Sequence, residues 1–532
     1  GSQANRVNNK KIKNEHAGDN VTTTTSTRHQ GWLDRIETMG NKLPDPALLF
    51  FILLVVVWIC SAIFAQLTYS HIDPRSGEAI VIKNLLTGDS MTWFTSNMVK
   101  TFVGFHPLGV VLVAMLGIGV ADHTGFIRAG LKALLNVTSP KILTPMLLLI
   151  AIVSHSGGDA GYVLVIPLGA VIFQAAGRHP LAGIASAFAG VSGGFSANFV
   201  PSMIDPLLQG ISQAAAQIID PELTLNPLNN WFFTSASCLL VVGVGWYLTD
   251  KVIEPRLAAT EVDGDLADAP ALESLTDVER KGLYMALLSM IVTAVILVVT
   301  SLPDDSSWRA ASGGLAAAGS PLMASIVTLI FIFFLIPGIV YGYVAGTVNS
   351  HHDIVAGMSE SMRGMSYYLV MAFFASLFIS EFARSNLGAL LALQGASVLQ
   401  SLAMPSGITI VGVIFISGLV NLFIGSASAK WALLAPILIP MLMQLGISPD
   451  ITQAAYRIGD SSTNIITPLM PYFPLVVVFS QRYVKNTGIG TVVAMMLPYS
   501  LSFLLVWTLF LLGYWYIGFP LGLQSSYVYP AP

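Results

Sequence analysis

The sequence predicts an all-α polytopic membrane protein, from its composition, its apolar runs and a repeated pattern of breaks in those runs. Hydrophobic residues make up 54% of the 532 residues and charged residues 10%, whereas soluble domains carry about 25% charged residues. The mean hydropathy is +0.71. A formal net charge of −4 is small for this length and gives no indication of a nucleic-acid partner.

Several uncharged runs are long enough to cross a bilayer as helices, which takes about 20 apolar residues. They cover residues 47–67, 283–302, 321–348, 405–429 and 488–519. No charged residue follows Lys485. The last run therefore predicts one long helix, with a kink at Pro498.

The chain divides into two halves. Residues 1–30 are polar and predict a disordered tail. Lys and Arg are frequent before the first apolar run, so we expect this tail in the cytoplasm. Residues 251–280 are rich in acids, and we interpret them as a flexible cytoplasmic linker between a first half, 31–250, and a second half, 281–532.

The two halves share a pattern of breaks. A proline, a second proline and a glycine follow one another at the same spacing in each half, at Pro167, Pro180, Gly190 and at Pro436, Pro449, Gly459. Small polar breaks interrupt the apolar arms at 154–159 and 425–428, and again at 192–196 and 459–464. This order predicts an inverted repeat built on discontinuous helices, as in ion transporters. Chance is the alternative, because Gly and Pro are common in membrane helices.

The breaks are the predicted cation sites. Backbone polar groups inside a membrane need partners, so an unwound Ser/Gly stretch lines a cavity or binds an ion. The candidate ligands for Na⁺ are Ser154, Ser156, Asp159, Ser461, Ser462 and Asn464. The alternative is that the breaks are notches for helix packing. No cofactor is expected, only Na⁺ or H⁺ as coupling ion.

Ionisable residues in apolar surroundings are costly and usually functional. Arg457 and Asp460 lie three apart, which predicts one helix face and an ion pair. Arg457 is alternatively a clamp for a substrate carboxylate, with Asp460 as a coupling acid. Trp431 either stacks on an aromatic ring or anchors the chain at the bilayer surface. Asp205 belongs to a polar network or caps a helix.

Four sequence blocks together resemble the p-aminobenzoyl-glutamate transporter (AbgT) family. They are GRHPLAG at 177–183, AGVSGGFSAN at 189–198, GSASAKW at 425–431 and YRIGDS at 456–461. The resemblance covers nearly the whole chain. The first break of this chain, 154–159, reads SHSGGD, where some relatives have Ser-Asn-Thr. The resemblance therefore does not identify the first cation ligand.

The resemblance implies a bowl-shaped homodimer in the bacterial inner membrane. Each protomer would have about nine transmembrane helices, two re-entrant helical hairpins at about 141–176 and about 425–445, and a basin facing the cytoplasm. Family positions that match here imply substrate contacts at Asp205, Asn421, Ser428, Trp431, Pro449, Arg457, Asp460 and Pro468. Lys430 is expected to tune the preference for substrate charge.

Three functions are compatible with these residues. The first is an ion-coupled secondary transporter of small aromatic carboxylates such as p-aminobenzoyl-glutamate. The second is an exporter of sulfonamide-type antimetabolites driven by protons carried on Asp205, Asp460 or Asp159. The third, an intramembrane hydrolase using Ser154 or Ser156 with His155 and Asp159, is disfavoured because adjacent residues cannot easily aim at each other as a triad requires. No enzyme activity is expected.

Overall fold

A computed structural model describes residues 44–136, 139–157, 161–266, 273–317, 319–470 and 472–531. The predicted tail, Asp159 and the centre of the predicted linker lie outside these ranges. The described residues are almost entirely helical, and their only β contacts are two isolated bridges. The all-α prediction is confirmed.

The longer helices of the first half are α1 (Pro46–Phe64), α2 (Gly88–Val103), α3 (His106–His123), α4 (Phe126–Asn136), α5 (Leu143–Ser154), α6 (Ile166–Ala175), α7 (Pro180–Gly193), α8 (Ile204–Ala216) and α9 (Trp231–Leu248). Those of the second half are α10 (Asp277–Ser301), α11 (Ile326–Ala345), α12 (His351–Gly364), α13 (Ser366–Arg384), α14 (Leu387–Ser401), α15 (Ser406–Asn421), α16 (Ala427–Gln444), α17 (Pro449–Thr463), α18 (Phe473–Gln481) and α19 (Ile489–Ile517).

Six helices in the described ranges are long and apolar enough to cross a membrane. They are α1, α9 with its extension to Leu257, α10, α11, α16 and α19. Two bent helix pairs, α3 with α4 and α12 with α13, raise the number to eight if each pair is one span. The count of nine stays a prediction.

Two predicted boundaries in the second half are wrong. The run 405–429 is not one span, because α15 ends at Asn421 and α16 starts only at Ala427. The segment 425–445 is not a hairpin of two arms, because α16 continues through Pro436 and Pro440 to Gln444. A proline removes one backbone hydrogen bond, which buried neighbours can compensate without reversing the chain.

Matching glycines allow close helix crossings in both halves. A Cβ added to Gly190 of α7 would lie 2.7 Å from the Cβ of Ala151 in α5. A Cβ added to Gly459 of α17 would lie 2.4 Å from the carbonyl oxygen of Ile414 in α15. Both distances are shorter than a van der Waals contact, so only glycine fits at these crossings. The repeated spacing therefore has a packing cause, while the inverted relation of the halves stays a prediction.

The predicted linker is anchored where the structure describes it. Gly264 donates its N–H to the carbonyl of Tyr483 at 3.0 Å, and the N–H of Lys485 donates to Asp263 at 2.9 Å. These bonds fix part of a segment predicted to be flexible. The reason is that one acidic side chain, Asp263, accepts from a backbone donor on the loop before α19.

Candidate functional site

The centre of α17 carries two buried charges with different partners. Nη1 of Arg457 donates to Oδ1 of Asp205, in the first turn of α8, at 2.8 Å. Asp460 forms an ion pair with Lys430, in the first turn of α16. The predicted pair between Arg457 and Asp460 is therefore wrong, because α17 is buried all round and each charge meets an opposite charge on another helix.

Asn421 connects the end of α15 to this ion pair. Its Nδ2 donates to the carbonyl oxygen of Asp460, to Oγ1 of Thr463 and to Oδ1 of Asn464, each at 2.8 Å. Its Oδ1 accepts from Lys430. An amide has only two N–H donors, so three acceptors compete for them.

Trp431 is fully buried inside the protein. Its ring stacks on Tyr456 with centroids 4.3 Å apart and planes inclined by 22°. Its Nε1 donates to Oγ of Ser212 at 2.9 Å. The interpretation as an interfacial anchor is wrong, because one face of the indole is covered by a side chain of α17 and its N–H is bonded to α8.

The break after α5 is less completely bonded. Oγ of Ser154 donates to the carbonyl of Ala151 at 2.6 Å. The ring of His155 lies against Phe195, with centroids 3.8 Å apart. Among the described residues, neither ring nitrogen of His155 has a hydrogen-bond partner, nor does Oγ of Ser156 or of Ser192. Buried polar atoms without partners are rare. These atoms of the break are therefore available to form hydrogen bonds with a ligand.

The breaks of the two halves meet at α17. Nη2 of Arg457 donates to the carbonyl of Phe195 at 2.6 Å. Oγ of Ser196 donates to the carbonyl of Arg457 at 3.1 Å, and Ser461 donates to Ser196 at 2.6 Å. Ser462, by contrast, has a buried hydroxyl with no partner in the described part of the chain. Residues 192–196 and α17 thus form one buried polar junction between the halves.

The remaining predicted residues lie around this junction or away from it. Ser428 is half-buried, with its Oγ 3.3 Å from that of Ser426. Pro468 is half-buried after the 3₁₀ turn Asn464–Ile466. Pro449 starts α17, eight residues before Arg457, which is about 12 Å along a helix. Pro449 therefore lies apart from the charged groups.

Sequence reasoning missed the partners that the structure adds. Tyr456, Ser212 and Phe195 each contact a predicted residue, and none of them is charged. A polar stripe of Gln209, Ser212 and Gln213 at helical spacing was the available signal for α8. The described residues contain no group of three or more His, Cys, Asp or Glu that could hold a metal ion.

Known proteins with this architecture were found by sequence and by structure. The family model described as "AbgT putative transporter family" matches residues 31–529. The p-aminobenzoyl-glutamate transport protein of Escherichia coli (strain K12) is 36% identical over 501 residues, which cover 94% of this chain and 97% of that protein.

Two solved structures are similar at comparable identity. The YdaH transporter of Alcanivorax borkumensis, reported to have an unusual topology, gives a TM-score of 0.85 at 42% identity, covering 90% of this chain and 100% of its own. MtrF of Neisseria gonorrhoeae, said to illuminate a class of antimetabolite efflux pumps, gives a TM-score of 0.88 at 41% identity, covering 94% of this chain and 100% of its own.

The fold and the buried junction between two broken-helix units define a multi-pass membrane transporter. The chain belongs to the AbgT transporter family.

Proposed function

We propose that the protein is an ion-coupled secondary transporter of small aromatic carboxylates such as p-aminobenzoyl-glutamate. The observation that carries this proposal is a stacked aromatic pair whose two members each adjoin a buried cation in the sequence. Trp431 and Tyr456 stack on each other, and Lys430 and Arg457 adjoin them in sequence. A solute with one aromatic ring and carboxylates matches these groups, and the related protein of Escherichia coli is named for such a solute.

The solute would replace the protein's own carboxylates. Arg457 and Lys430 are ion-paired here with Asp205 and Asp460. Solute carboxylates would compete with those two acids, and Arg457 offers the forked donor geometry that favours a carboxylate. Exchange of one set of ion pairs for another gives the differential interaction that a shift between two conformations requires.

The coupling cation would occupy the broken segments. The hydroxyls of Ser156 and Ser462 have no partner in the part of the chain that the structure describes, which supports this location. Ser154, Ser461 and Asn464 are the neighbouring oxygen donors, although each already makes a hydrogen bond. Asp159 lies outside the described residues and keeps its predicted role as a cation ligand.

Flux measurements in proteoliposomes test this function. Uptake of labelled p-aminobenzoyl-glutamate would be measured under a Na⁺ gradient alone and under a pH gradient alone. We expect Trp431→Phe to reduce uptake strongly. Trp507→Phe is the matched control, because Trp507 is also fully buried and donates to a serine, Ser237, at the same 2.9 Å. Equal uptake by both variants would contradict the solute site.

A second candidate is a proton-driven exporter of sulfonamide-type antimetabolites on the same fold. The structural similarity to MtrF favours it. Asp205 and Asp460 are buried acids, each ion-paired with a cation. Protonation of either acid would remove its ion pair. Sulfonamide efflux that follows a pH gradient, with no response to Na⁺, would favour this candidate over the first.

We infer that the protein acts without catalysis, as a homodimer in the bacterial inner membrane with a cytoplasmic N-terminus. A Ser–His dyad is not formed among the described residues at the first break, where Ser154 donates to a backbone carbonyl and the ring nitrogens of His155 are unbonded. Recovery of chemically unchanged solute after transport tests the absence of catalysis. Cross-linking in native membranes tests the dimer.

A further inference from the structure

Asp450 differs from the other buried acids. Five acids of the described chain are buried, and four of them are ion-paired: Asp73 with Arg75, Asp205 with Arg457, Glu381 with Arg384 and Asp460 with Lys430. Asp450 is 4% exposed and has no cationic partner there. A buried carboxylate without a counter-charge favours its neutral form.

Neutral donors hold Asp450 in place. Nδ2 of Asn229 donates to its Oδ1 at 2.8 Å, and the backbone N–H of Ser526 donates to its Oδ2 at 2.9 Å. Ser448, not Asp450, caps α17 by accepting from the N–H of Ile451. The C-terminal segment that contains Ser526 therefore covers this carboxylate, which has another role than capping its own helix.

A chain of hydrogen bonds leads from Asp450 to Trp431. Nε1 of Trp431 donates to Ser212, and Ser212 donates to Oε1 of Gln453 at 2.7 Å. Nε2 of Gln453 donates to Oδ1 of Asn229 at 3.1 Å, and Asn229 donates to Asp450. Every bond in this chain points toward the carboxylate.

The two ends of the chain fix its direction. An indole N–H can only donate and a carboxylate can only accept. Protonation turns Asp450 into a donor, and Asn229 is the side-chain neighbour able to offer it an acceptor, by rotating its amide. After that rotation, the Nδ2 donor of Asn229 would face the Nε2 donor of Gln453. Rotation of the Gln453 amide would relieve this donor–donor contact and would change the hydrogen bonds of Ser212 and Trp431. The same Nε2 of Gln453 also donates to Oδ1 of Asn230 at 3.0 Å, so rotation of the Gln453 amide breaks this bond as well.

We propose that Asp450 is a proton-binding site linked through Asn229, Gln453 and Ser212 to the solute site at Trp431. The inference rests on the proposed solute site. Linkage is reciprocal, so pH changes solute affinity and solute binding changes the proton affinity of Asp450. The other titratable or charged groups on the elements packed around it are Lys430, Arg457, Asp460, Asp205, Tyr456, Tyr499, Tyr514, Tyr516, Asp220, Tyr527 and Tyr529.

Infrared difference spectroscopy of the full-length protein in nanodiscs tests the proton site. A change of pH should reveal the carbonyl band of a protonated carboxyl group. Asp450→Asn should remove that band, whereas Asp220→Asn should leave it unchanged, because Asp220 bonds to Tyr529 at the edge of the same segment. A band that persists in Asp450→Asn would overturn the assignment.

Calorimetry tests the link to the solute. Binding of p-aminobenzoyl-glutamate in buffers of different ionisation enthalpy gives the number of protons exchanged. We expect the wild-type Kd to change about fivefold or more with pH, the lower range of coupling between sites. Ser212→Ala should retain the infrared band but lose the proton exchange. Retained exchange in Ser212→Ala would overturn the link. Absence of any solute binding by the wild type, with the band intact, would overturn the proposed function instead.

Discussion

The breaks of the two halves satisfy their polar groups differently. At the end of α15, Asn421 bonds to Lys430 and to three acceptors on α17 and its end. After α5, the imidazole of His155 and the hydroxyl of Ser156 lack hydrogen-bond partners in the described ranges. The second half closes its break with the protein's own charges. In the first half, these buried polar atoms are available to bind an ion or molecule in the break.

Under the proposed function the two breaks bind mainly different ligands, although Ser462 of the second break also has a hydroxyl without a partner among the described residues. A solute that enters the second must displace existing ion pairs, so its binding is an exchange. A cation or water that enters the first fills vacant hydrogen-bonding capacity, which lowers the free energy of the junction without breaking a bond. Helix α17 bonds to Asn421 at the end of α15 and to Phe195, whose ring lies against His155, so it lies between the two breaks.

The largest expected effect follows removal of Lys430. Lys430→Met leaves Asp460 buried without its counter-charge, and breaking a buried pair costs about 3–5 kcal/mol. The apparent melting temperature in detergent should fall strongly. The double variant Lys430→Met/Asp460→Leu should recover much of the loss and still fail to transport.

An exposed ion pair is the control for this prediction. Arg363 and Glu360 are 74% and 60% exposed, so Arg363→Met should change the free energy of unfolding by less than about 1 kcal/mol. A double variant of Lys430 and Asp460 that is as unstable as the single variant would show that packing, not charge, sets the cost.

The sequence predicted which charged residues belong to this site better than it predicted the partners with which they form ion pairs. Arg457 and Asp460 were identified because charges are rare in apolar surroundings, but their partners come from α8 and α16, and no local spacing encodes that long-range choice. The apolar runs located α1 and α19. The continuity of α16 through two prolines depends on its buried neighbours. The sequence pattern alone therefore could not distinguish one continuous helix from the hairpin predicted there.

A smaller effect is expected for Arg457→Lys, which keeps the charge and loses the fork that joins Asp205 to the carbonyl of Phe195. Loss of such a bond to a charged group costs about 1.5–3 kcal/mol. Arg384→Lys is the matched control, because Arg384 bonds to both oxygens of Glu381. Both variants should melt at lower temperatures, but only Arg457→Lys should lose uptake. Normal uptake by Arg457→Lys would argue against a carboxylate clamp.

Two serine variants separate the breaks more finely. Ser461→Ala removes the bond to Ser196, at a cost of about 1 kcal/mol. Ser156→Ala removes a hydroxyl without a partner among the described residues, so its melting temperature should be unchanged. Its cation concentration for half-maximal uptake should rise. An unchanged cation dependence would show that the first break does not hold the coupling ion through Ser156.

The smallest effect is expected for an ion pair outside both breaks, in the loop between α1 and α2. The Arg75 guanidinium donates to Asp73 at 2.7 Å, and this hydrogen bond lowers the pKa of the Asp73 carboxyl below its ordinary value. A lowered pKa means that the pair stabilises the fold above about pH 4, the ordinary range of Asp, and that this contribution is lost as the pH falls through the lower pKa of the folded state. Asp73→Asn should therefore cost about 1 kcal/mol or less at neutral pH, and its melting curve should converge with that of the wild type in acid. A lower melting temperature of Asp73→Asn that persists in acid would mean that Asp73 acts through packing. The contrast between this pair and the buried pair of Lys430 would then reflect side-chain packing as well as charge.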